Sequence, residues 1–579
     1  MQEKRGFPPT EGVTLSGVRP TGLGRGLYVD VTLEKLDDRV PKVQDGSGDA
    51  SANLSGKRTE TMNCPAAVQE RTAAREFFLA LCDGPRSLLP GPFFVPKERE
   101  NTMLESLEAT LYPIVVNINN YLSSYILVFL LIAVGLWYSI RTRFVQVRCF
   151  GEGMRKVFGN LTLRGKKHAS GMSSFQALAT AIAAQVGTGN IVGSAGAILT
   201  GGPGAIFWMW IIAFFGMATI YAEATLAIKT RRVDQEGNIH GGPVYYITTA
   251  FQGAFGKFLA GFFAVAITLA LGFMGCMVQS NSIGSTFQTA FGVPSWVVGI
   301  VLVVICAIIF LGGVQRLASV TEKIVPVMAA IFLLGGLVVL IARIQYLPAT
   351  IAMIFQYAFQ PQAIIGGGFG AALKTAISQG AKRGLFSNEA GMGSTPHAHA
   401  QANVTDPHDQ GVVAMVGVFI DTFVVLTLNA LVIISTLYTA DGPLAGGYVG
   451  GVTEVLDKTN LAQTAFGTVM GAGLGAKFVA ICLFFFAFST VLGWNLFGKI
   501  NVIYLFGKKS PKLCTTIYTV VALIFIFLGT TMSNDLVWEL TDMFNNLMVI
   551  PNAIALFALT SVVVRVARRE DPDSTPLRR

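Results

Sequence analysis

Long apolar stretches separated by short polar loops occupy most of this chain, from about residue 115 to near its C-terminal end. One helical crossing of a bilayer needs about 20 predominantly apolar residues, and eleven stretches reach that length. They cover residues 115–140, 173–200, 204–228, 256–285, 295–314, 322–345, 371–395, 411–437, 470–500, 513–531 and 536–564. The pattern predicts an all-α integral membrane protein with eleven transmembrane helices in a lipid bilayer.

The first part of the chain has a different pattern. Residues 1–102 mix Pro, Gly, Arg and acidic residues without a sustained period, and they contain no apolar run long enough for a signal peptide. We expect this extension to be largely disordered. Met103 opens a segment that leads directly into the first span, so we also consider it an alternative start of the protein.

Composition and charge support a membrane protein and exclude other classes. Hydrophobic residues make up 52% of the 579 positions and charged residues 13%, too apolar a mixture to cover a soluble surface. The net charge is +9, but Lys and Arg fall in short runs between apolar stretches, which indicates membrane topology rather than nucleic-acid binding. The loop at 141–168 carries eight basic residues against Glu152 alone. We therefore predict a cytoplasmic loop there, an outside N-terminus and a cytoplasmic C-terminus, with Arg343 as the exception to the charge pattern.

The seven cysteines give no sign of a metal site. They are scattered, form no CxxC pair and lie near no histidine at metal-ligand spacing. We interpret them as small apolar side chains, and the sequence predicts no cofactor.

Two of the predicted spans are interrupted by glycine. Residues 180–196 contain four glycines, each costing about 1 kcal/mol relative to Ala inside a helix. Residues 375–394 repeat the pattern: both stretches contain Thr-Ala-Ile and then an Asn-x-x-Gly step, which begins at Asn190 in the first and at Asn388 in the second. Five spans separate their starts, so the two stretches cross the bilayer in opposite directions.

Matched interruptions in two inverted halves indicate a transporter binding site. The N-terminal end of a half-helix offers unpaired N–H groups to an anion, and unwound carbonyls can hold a cation. In the first break, the predicted donors are Thr188, Gly189 and Asn190, and the predicted carbonyls are those of Ala183 and Val186. The alternative is that these glycines only permit close helix packing.

Several motifs together resemble the sodium:alanine (alanine or glycine:cation) symporter family. They lie at residues 175–190, 201–210, 241–246, 384–394 and 548–552, and the resemblance extends from about residue 115 to 565. It implies a LeuT-like five-plus-five inverted repeat, built from the second to eleventh spans, with one extra N-terminal helix. It also implies uptake of alanine or glycine driven by sodium.

This resemblance divides the chain into five parts. They are the extension at 1–102, a first span and basic loop at 103–170, inverted repeats at 171–345 and 346–565, and a cytoplasmic tail at 566–579.

A weaker resemblance to neurotransmitter:sodium symporters implies where a sodium ion binds. In that family the first break shares the ion with a hydroxyl pair on the eighth core helix. The matching hydroxyls here are those of Ser489 and Thr490, beside the carbonyls of Ala183 and Val186. The alternative is that both hydroxyls bond only to their own helix backbone.

Other polar and aromatic residues at membrane depth complete the predicted substrate site. Gln279 is expected either to bond substrate or to join helices, while Phe273 and Trp494 are candidate apolar walls. From the second break we include Phe386, Ser387, Asn388 and Gly391. Glu223, Glu389, Asp421 and Asp542 are further buried-acid candidates for a gate or for helix pairing. Lys499 departs from the family pattern, which usually has an acid there, and this leaves coupling and substrate preference open.

The sequence therefore predicts a sodium-coupled symporter of the plasma membrane that imports a small neutral amino acid, alanine or glycine, by alternating access. Alternatives are a proton-coupled or uncoupled carrier of serine, glutamine or D-alanine, an amino-acid sensor, or a channel. An enzyme is not predicted, because we find no nucleophile–base pair and no metal cluster in the sequence.

Overall fold

A computed structural model describes residues 103–159, 172–233, 239–359, 369–439, 441–445, 457–507, 510–532 and 534–571. The predicted disordered extension at 1–102 lies outside the described residues, as do most of the tail and part of the basic loop. The orientation of the chain and the boundaries of the two repeats stay predictions.

The described part of the chain is almost entirely helical. A two-stranded antiparallel hairpin pairs β1 (Arg232–Val233) with β2 (Ile239–His240). The helices in chain order are α1 (Thr110–Arg141, helical from Met103), α2 (Val145–Arg148), α3 (Phe150–Phe158), α4 (Ser174–Gln185), α5 (Gly189–Gly201), α6 (Ala205–Thr230), α7 (Pro243–Ala250), α8 (Gly253–Phe291), α9 (Ser295–Leu311), α10 (Gly313–Ala342), α11 (Leu347–Phe359), α12 (Phe369–Asn388), α13 (Pro396–His399), α14 (Pro407–Tyr438), α15 (Leu461–Met470), α16 (Ala472–Phe506), α17 (Pro511–Thr531), α18 (Asn534–Ala558) and α19 (Thr560–Ala567).

Membrane-spanning helices coincide closely with the predicted apolar stretches. Seven helices are long and apolar enough to cross a bilayer alone: α1, α6, α8, α10, α14, α16 and α17. The pairs α4–α5 and α18–α19 reach that length together, with bends of 44° and 63°. The two remaining stretches form α9, which has 17 residues, and α12, which carries Lys374, Lys382 and Arg383. Seven to nine spans are therefore evident in the described residues, and eleven stays a prediction.

An inner group of helices is buried by an outer group that faces lipid. In the most apolar part of α14, 72% of residues are buried, whereas the figure for α17 is 28%. The exposed large apolar side chains of α17 recur every three or four residues: Leu513, Ile517, Val520, Ile524 and Leu528. A continuous exposed apolar stripe of this kind is unfavourable in water and suits a lipid environment.

The additional N-terminal helix packs directly on the inner group. Gly135 of α1 lies so close to α6 that a Cβ atom there would be 2.6 Å from Phe215 Cβ. One turn further on, the Tyr138 hydroxyl donates to the Leu556 carbonyl oxygen of α18 at 2.5 Å. The absent side chain at Gly135 therefore sets the separation of α1 and α6, as small residues do between membrane helices.

Arg343, the exception to the charge pattern, is neutralised locally. Its guanidinium forms an ion pair with Asp441 at 2.6 Å and donates to the Ser435 carbonyl oxygen at 2.8 Å. The ion pair lowers the pKa of the Asp441 carboxyl well below its usual value. An arginine held in this way at a helix end has a structural role, so it is weak evidence about topology.

Replacing Gly135 with Ala should destabilise the protein, because the added methyl meets backbone and Cβ atoms of Phe215 that cannot rotate away. We expect a loss of about 1–3 kcal/mol from overpacking, measured as a lower midpoint temperature for loss of the monodisperse peak in detergent. Gly261→Ala is the matched control, since a Cβ there would meet open space in the middle of α8. Equal midpoints for the two variants would contradict the packing of α1 on α6.

Candidate functional site

The first predicted break is present, and polar side chains satisfy its backbone. α4 begins with a capping box between Ser173 and Gln176 and ends at Gln185, and three residues separate it from the start of α5. The Thr188 N–H donates to Gln279 Oε1 at 3.1 Å, and the Gly187 N–H donates to Asn190 Oδ1 at 3.0 Å. Unwound backbone at membrane depth persists only when such partners replace the lost helical bonds.

Carbonyl oxygens in the first turn of α5 accept hydrogen bonds from Asn429 of α14. Its side-chain amide donates to the carbonyl oxygens of Asn190 and Ile191, each at 3.1 Å, and to Ser194 Oγ at 2.9 Å. One asparagine thus fixes the first turn of α5 against α14.

The second break is an irregular turn between α12 and α13. Glu389 has a positive φ of 57°, an uncommon conformation for a residue with a side chain. The N–H groups of Gly391 and Gly393 donate to the Glu223 carboxylate of α6 at 3.2 and 3.0 Å. Asn552 of α18 donates to the same carboxylate at 2.6 Å and to the Gly391 carbonyl oxygen at 2.9 Å. Glu223, predicted as a gate or pairing acid, therefore stabilises this turn.

Asp421 of α14 joins the two breaks. Its carboxylate accepts from Asn190 Nδ2 of the first break at 2.7 Å and from Ser387 Oγ of the second break at 2.9 Å. The hydroxyl of Thr422 donates to it at 2.9 Å. The side chain is fully buried, and these three partners are all neutral.

The backbones of the two breaks also touch. Gln185 at the end of α4 donates from Nε2 to the Asn388 carbonyl oxygen at 2.8 Å. A Cβ at Gly189 would lie 2.9 Å from Ser387 Cα, so this position allows the close approach. The two interruptions, almost 200 residues apart in sequence, therefore form one site.

Two buried hydrogen-bond donors beside the first break, Gln279 Nε2 and Thr188 Oγ1, have no partner among the described residues. The same holds for two buried acceptor oxygens at this break, Gln185 Oε1 and Asn429 Oδ1. Leaving such groups unpaired costs about 1–3 kcal/mol each, and unpaired groups in native proteins require an explanation. A polar ligand that accepts from both donors would satisfy them.

Aromatic rings close the site on one side. The Phe386 ring lies 5.7 Å from that of Trp494 and 4.8 Å from that of Trp538, measured between centroids. Trp494 is held in place because its Nε1–H donates to Glu389 Oε1 at 2.5 Å. Gly275 packs under it, since a Cβ there would lie 2.5 Å from the Trp494 ring.

A cluster of oxygen atoms lies on the other side of the first break. The hydroxyls of Ser489 and Thr490 in α16 lie 3.3 and 2.9 Å from the Ala183 carbonyl oxygen. Both hydroxyls also lie within 3.0 Å of the Phe486 carbonyl oxygen in their own helix. The hydrogen bonds to their own helix backbone, which were the alternative to a sodium site, are therefore present as well. Val186 ends α4 with non-helical dihedral angles next to Gly187, where a Cβ would lie 2.4 Å from Thr490 Oγ1.

Most of the residues predicted from the sequence lie around these two breaks. They are Ala183, Val186, Thr188, Gly189, Asn190, Gln279, Phe386, Ser387, Asn388, Ser489, Thr490 and Trp494. Gly391 also belongs to the second break, where it bonds Glu223 and Asn552. Phe273 instead stacks on Phe525 of α17, with ring centroids 4.9 Å apart. Phe273 lies six positions before Gln279, so the two side chains are on different faces of α8. Gly275 lies four positions before Gln279 and shares its face.

Sequence reasoning missed three residues of the site. Trp538 covers Phe386, Gln185 joins the two breaks, and Asn429 satisfies the first one. A buried polar residue inside an apolar span was the available signal for Gln185 and Asn429. No periodicity distinguishes Trp538 from an ordinary core aromatic.

These features define a polytopic membrane protein with a polar site between two interrupted helices, and comparison with known proteins identifies its family. A family model described as the sodium:alanine symporter family matches residues 108–571. The chain therefore belongs to the sodium:alanine symporter family, whose members are membrane transporters.

Relatives at about 40% identity support the assignment. The chain is 41% identical over 448 residues to the sodium/alanine symporter AgcS of Methanococcus maripaludis, covering 77% of this chain and 94% of that protein. It is 39% identical over 440 residues to the amino-acid carrier protein AlsT of Bacillus subtilis, covering 76% and 88%. It is also 39% identical over 439 residues to an uncharacterized transporter of Haemophilus influenzae, covering 76% and 91%.

Asp421→Ala should lower the free energy of unfolding by roughly 2–3 kcal/mol, because the Ser387 and Thr422 hydroxyls lose their carboxylate acceptor and Asn190 keeps only the Asp421 backbone carbonyl oxygen, at about 1 kcal/mol for each lost bond. Asp421→Asn keeps one acceptor oxygen and the same shape, so its loss should be smaller. Thermal unfolding midpoints in detergent measure both effects. If both variants unfolded like the wild type, Asp421 would not hold the two breaks together.

Proposed function

We propose that the protein is a sodium-coupled symporter that imports alanine or glycine across the plasma membrane by alternating access. The observation that carries this proposal is the pair of unpaired groups, Gln279 Nε2 and Thr188 Oγ1, at the point where the two interrupted helices meet. The N-terminus is proposed to lie outside and the C-terminus in the cytoplasm, as the distribution of basic loops favours.

The proposed substrate pose places the amino-acid carboxylate against the start of α5. That end of the half-helix, from Thr188 to Asn190, carries the positive end of the dipole. Gln279 Nε2 and Thr188 Oγ1 then each donate a hydrogen bond to the carboxylate. The substrate ammonium group faces the second break, at Phe386 to Asn388, where freed carbonyl oxygens accept from it.

The small size of the proposed substrate follows from the close contacts around the site. Gly189 touches the backbone of Ser387, and Gly275 touches the Trp494 ring, so neither position admits even a methyl group. Phe386 is in turn confined between Trp494 and Trp538. These close contacts favour a substrate whose side chain is a hydrogen atom or a methyl group over one as long as glutamine.

The proposed sodium ion binds at the carboxyl end of α4. It takes the carbonyl oxygens of Ala183 and Val186 and the hydroxyl oxygens of Ser489 and Thr490, the kind of unwound carbonyl and helix terminus that coordinates sodium in transporters. The negative end of the α4 dipole favours a cation there, just as the positive end of α5 favours the carboxylate. The first break thus presents the carboxyl end of α4 to the ion and the amino end of α5 to the substrate. This proximity gives a physical basis for coupling their binding.

Uptake of labelled alanine into proteoliposomes tests this function. With an inward sodium gradient we expect saturable accumulation, and replacing sodium with choline should abolish it. Ser489→Ala combined with Thr490→Ala should raise the sodium concentration needed for half-maximal uptake by about tenfold or more, the equivalent of losing roughly 1.4 kcal/mol of ion binding. Thr519→Ala is the matched control, because among the described residues its hydroxyl donates to the Thr515 carbonyl oxygen of its own helix.

Three outcomes would count against parts of the proposal. Uptake unchanged in choline would remove sodium coupling and favour a proton-coupled or uncoupled carrier. Equal competition by excess glutamine and by glycine would contradict the size argument. Saturable binding of alanine without net accumulation would indicate a sensor.

A further inference from the structure

A second cluster of polar side chains lies at one end of the helical bundle, away from the two breaks. Arg569, just beyond α19, forms ion pairs with Glu152 of α3 at 2.6 Å and with Asp406, the residue that caps α14. Lys156 of α3 pairs with Asp409 of α14 at 3.1 Å. The cluster therefore joins three segments that are distant in sequence.

Three metal-ligating side chains converge within this cluster. Cys149 Sγ, a carboxylate oxygen of Glu152 and a ring nitrogen of His408 all lie within 4.8 Å of one another. Cys149 is the N-cap residue of α3 and Glu152 lies in its first turn, so a spacing of three places both on one face. His408 lies in the first turn of α14, where its backbone N–H donates to Asp406 Oδ1 at 2.9 Å.

The His408 ring is oriented toward the other two side chains by a hydrogen bond on its far side. Nδ1 lies 2.8 Å from the Tyr221 hydroxyl of α6, and the side chain is 1% exposed. Nε2 is buried and has no hydrogen-bond partner among the described residues, although Glu152 Oε2 lies 3.4 Å away. When Nδ1–H donates to the Tyr221 oxygen, Nε2 presents a free lone pair, the arrangement by which a neighbouring group orients a metal-binding histidine.

We propose that Cys149, Glu152 and His408 form a binding site for a divalent cation of the zinc class. A thiolate, an imidazole and a carboxylate are the ligand types that zinc prefers, and three protein ligands leave a fourth position for water. The thiolate and carboxylate charges together balance a dication. Binding releases the thiol proton to solvent.

The side chains around the three ligands determine how a cation reaches the site and which groups compete with it for Glu152. Glu152 is one-third exposed, so a cation can reach the two buried ligands past this side chain. Because Glu152 is also the partner of Arg569 and Lys156, a bound cation draws the carboxylate away from both. The site thus links occupancy by a metal to the attachment of the C-terminal segment to α3.

Titration of the purified full-length protein with Co²⁺ tests the site, because cobalt bound to a thiolate absorbs by charge transfer and is displaced by Zn²⁺. We expect one equivalent of Co²⁺ to produce this band and one equivalent of Zn²⁺ to remove it. Cys149→Ser should abolish the band. Cys514→Ser is the matched control and should keep it, since this half-buried cysteine donates its S–H to the Phe506 carbonyl oxygen, remote in sequence from the three ligands.

A second variant keeps the test independent of folding. Glu152→Gln changes a partly exposed side chain and should weaken Co²⁺ binding by about tenfold or more while leaving the thermal midpoint of the metal-free protein within a few degrees. An unchanged band in Cys149→Ser, or the absence of stoichiometric binding in the wild type, would overturn the proposal. Neither readout depends on transport, so the result is separate from that of the uptake experiment.

Discussion

The interaction on which the rest of this site depends is the set of hydrogen bonds around the buried Asp421 carboxylate. A helix interrupted inside a bilayer exposes backbone groups that lipid cannot satisfy. Two such interruptions side by side expose two sets of backbone groups that need hydrogen-bond partners. Asp421 accepts from Asn190 of one break and Ser387 of the other, so a single side chain fixes their relative position. Its three partners are all neutral donors, and losing the carboxylate would remove their shared acceptor in a low-dielectric interior, leaving Asn190 only its bond to the Asp421 backbone carbonyl oxygen.

The same interruption that creates this difficulty also supplies the chemistry of the site. Splitting one span into α4 and α5 leaves only three residues between the carboxyl end of one half-helix and the amino end of the next. A cation and an anion are then favoured at neighbouring positions by opposite dipole ends. Gln279 and Thr188 remain with unpaired polar atoms at this point, which makes the site incomplete without a ligand and gives a physical reason for a substrate to bind there.

Much of this architecture follows from the sequence, because the length of an apolar stretch and the positions of its glycines can be read directly along the chain. The approximate positions of the long apolar helices, the interruption near Gly187 and its counterpart before Gly391 were predictable in this way. The orientation of individual side chains was harder: Phe273 is apolar and close to Gln279 in sequence, yet it lies on another helical face and packs on α17. The convergence of Cys149 with His408 could not be predicted, because no pattern along the chain reports which distant helix ends meet in space.

The most direct test of the central claim is the mutual dependence of sodium and alanine binding in the purified protein. If one interruption holds both, each ligand must raise the affinity for the other by the same factor, as thermodynamic linkage requires. Equilibrium binding of labelled alanine in detergent, measured over a range of sodium concentrations at constant ionic strength with choline, gives this factor. We predict an alanine affinity that rises at least fivefold with sodium, a typical lower limit for coupled sites. An alanine affinity identical in sodium and in choline would contradict the account.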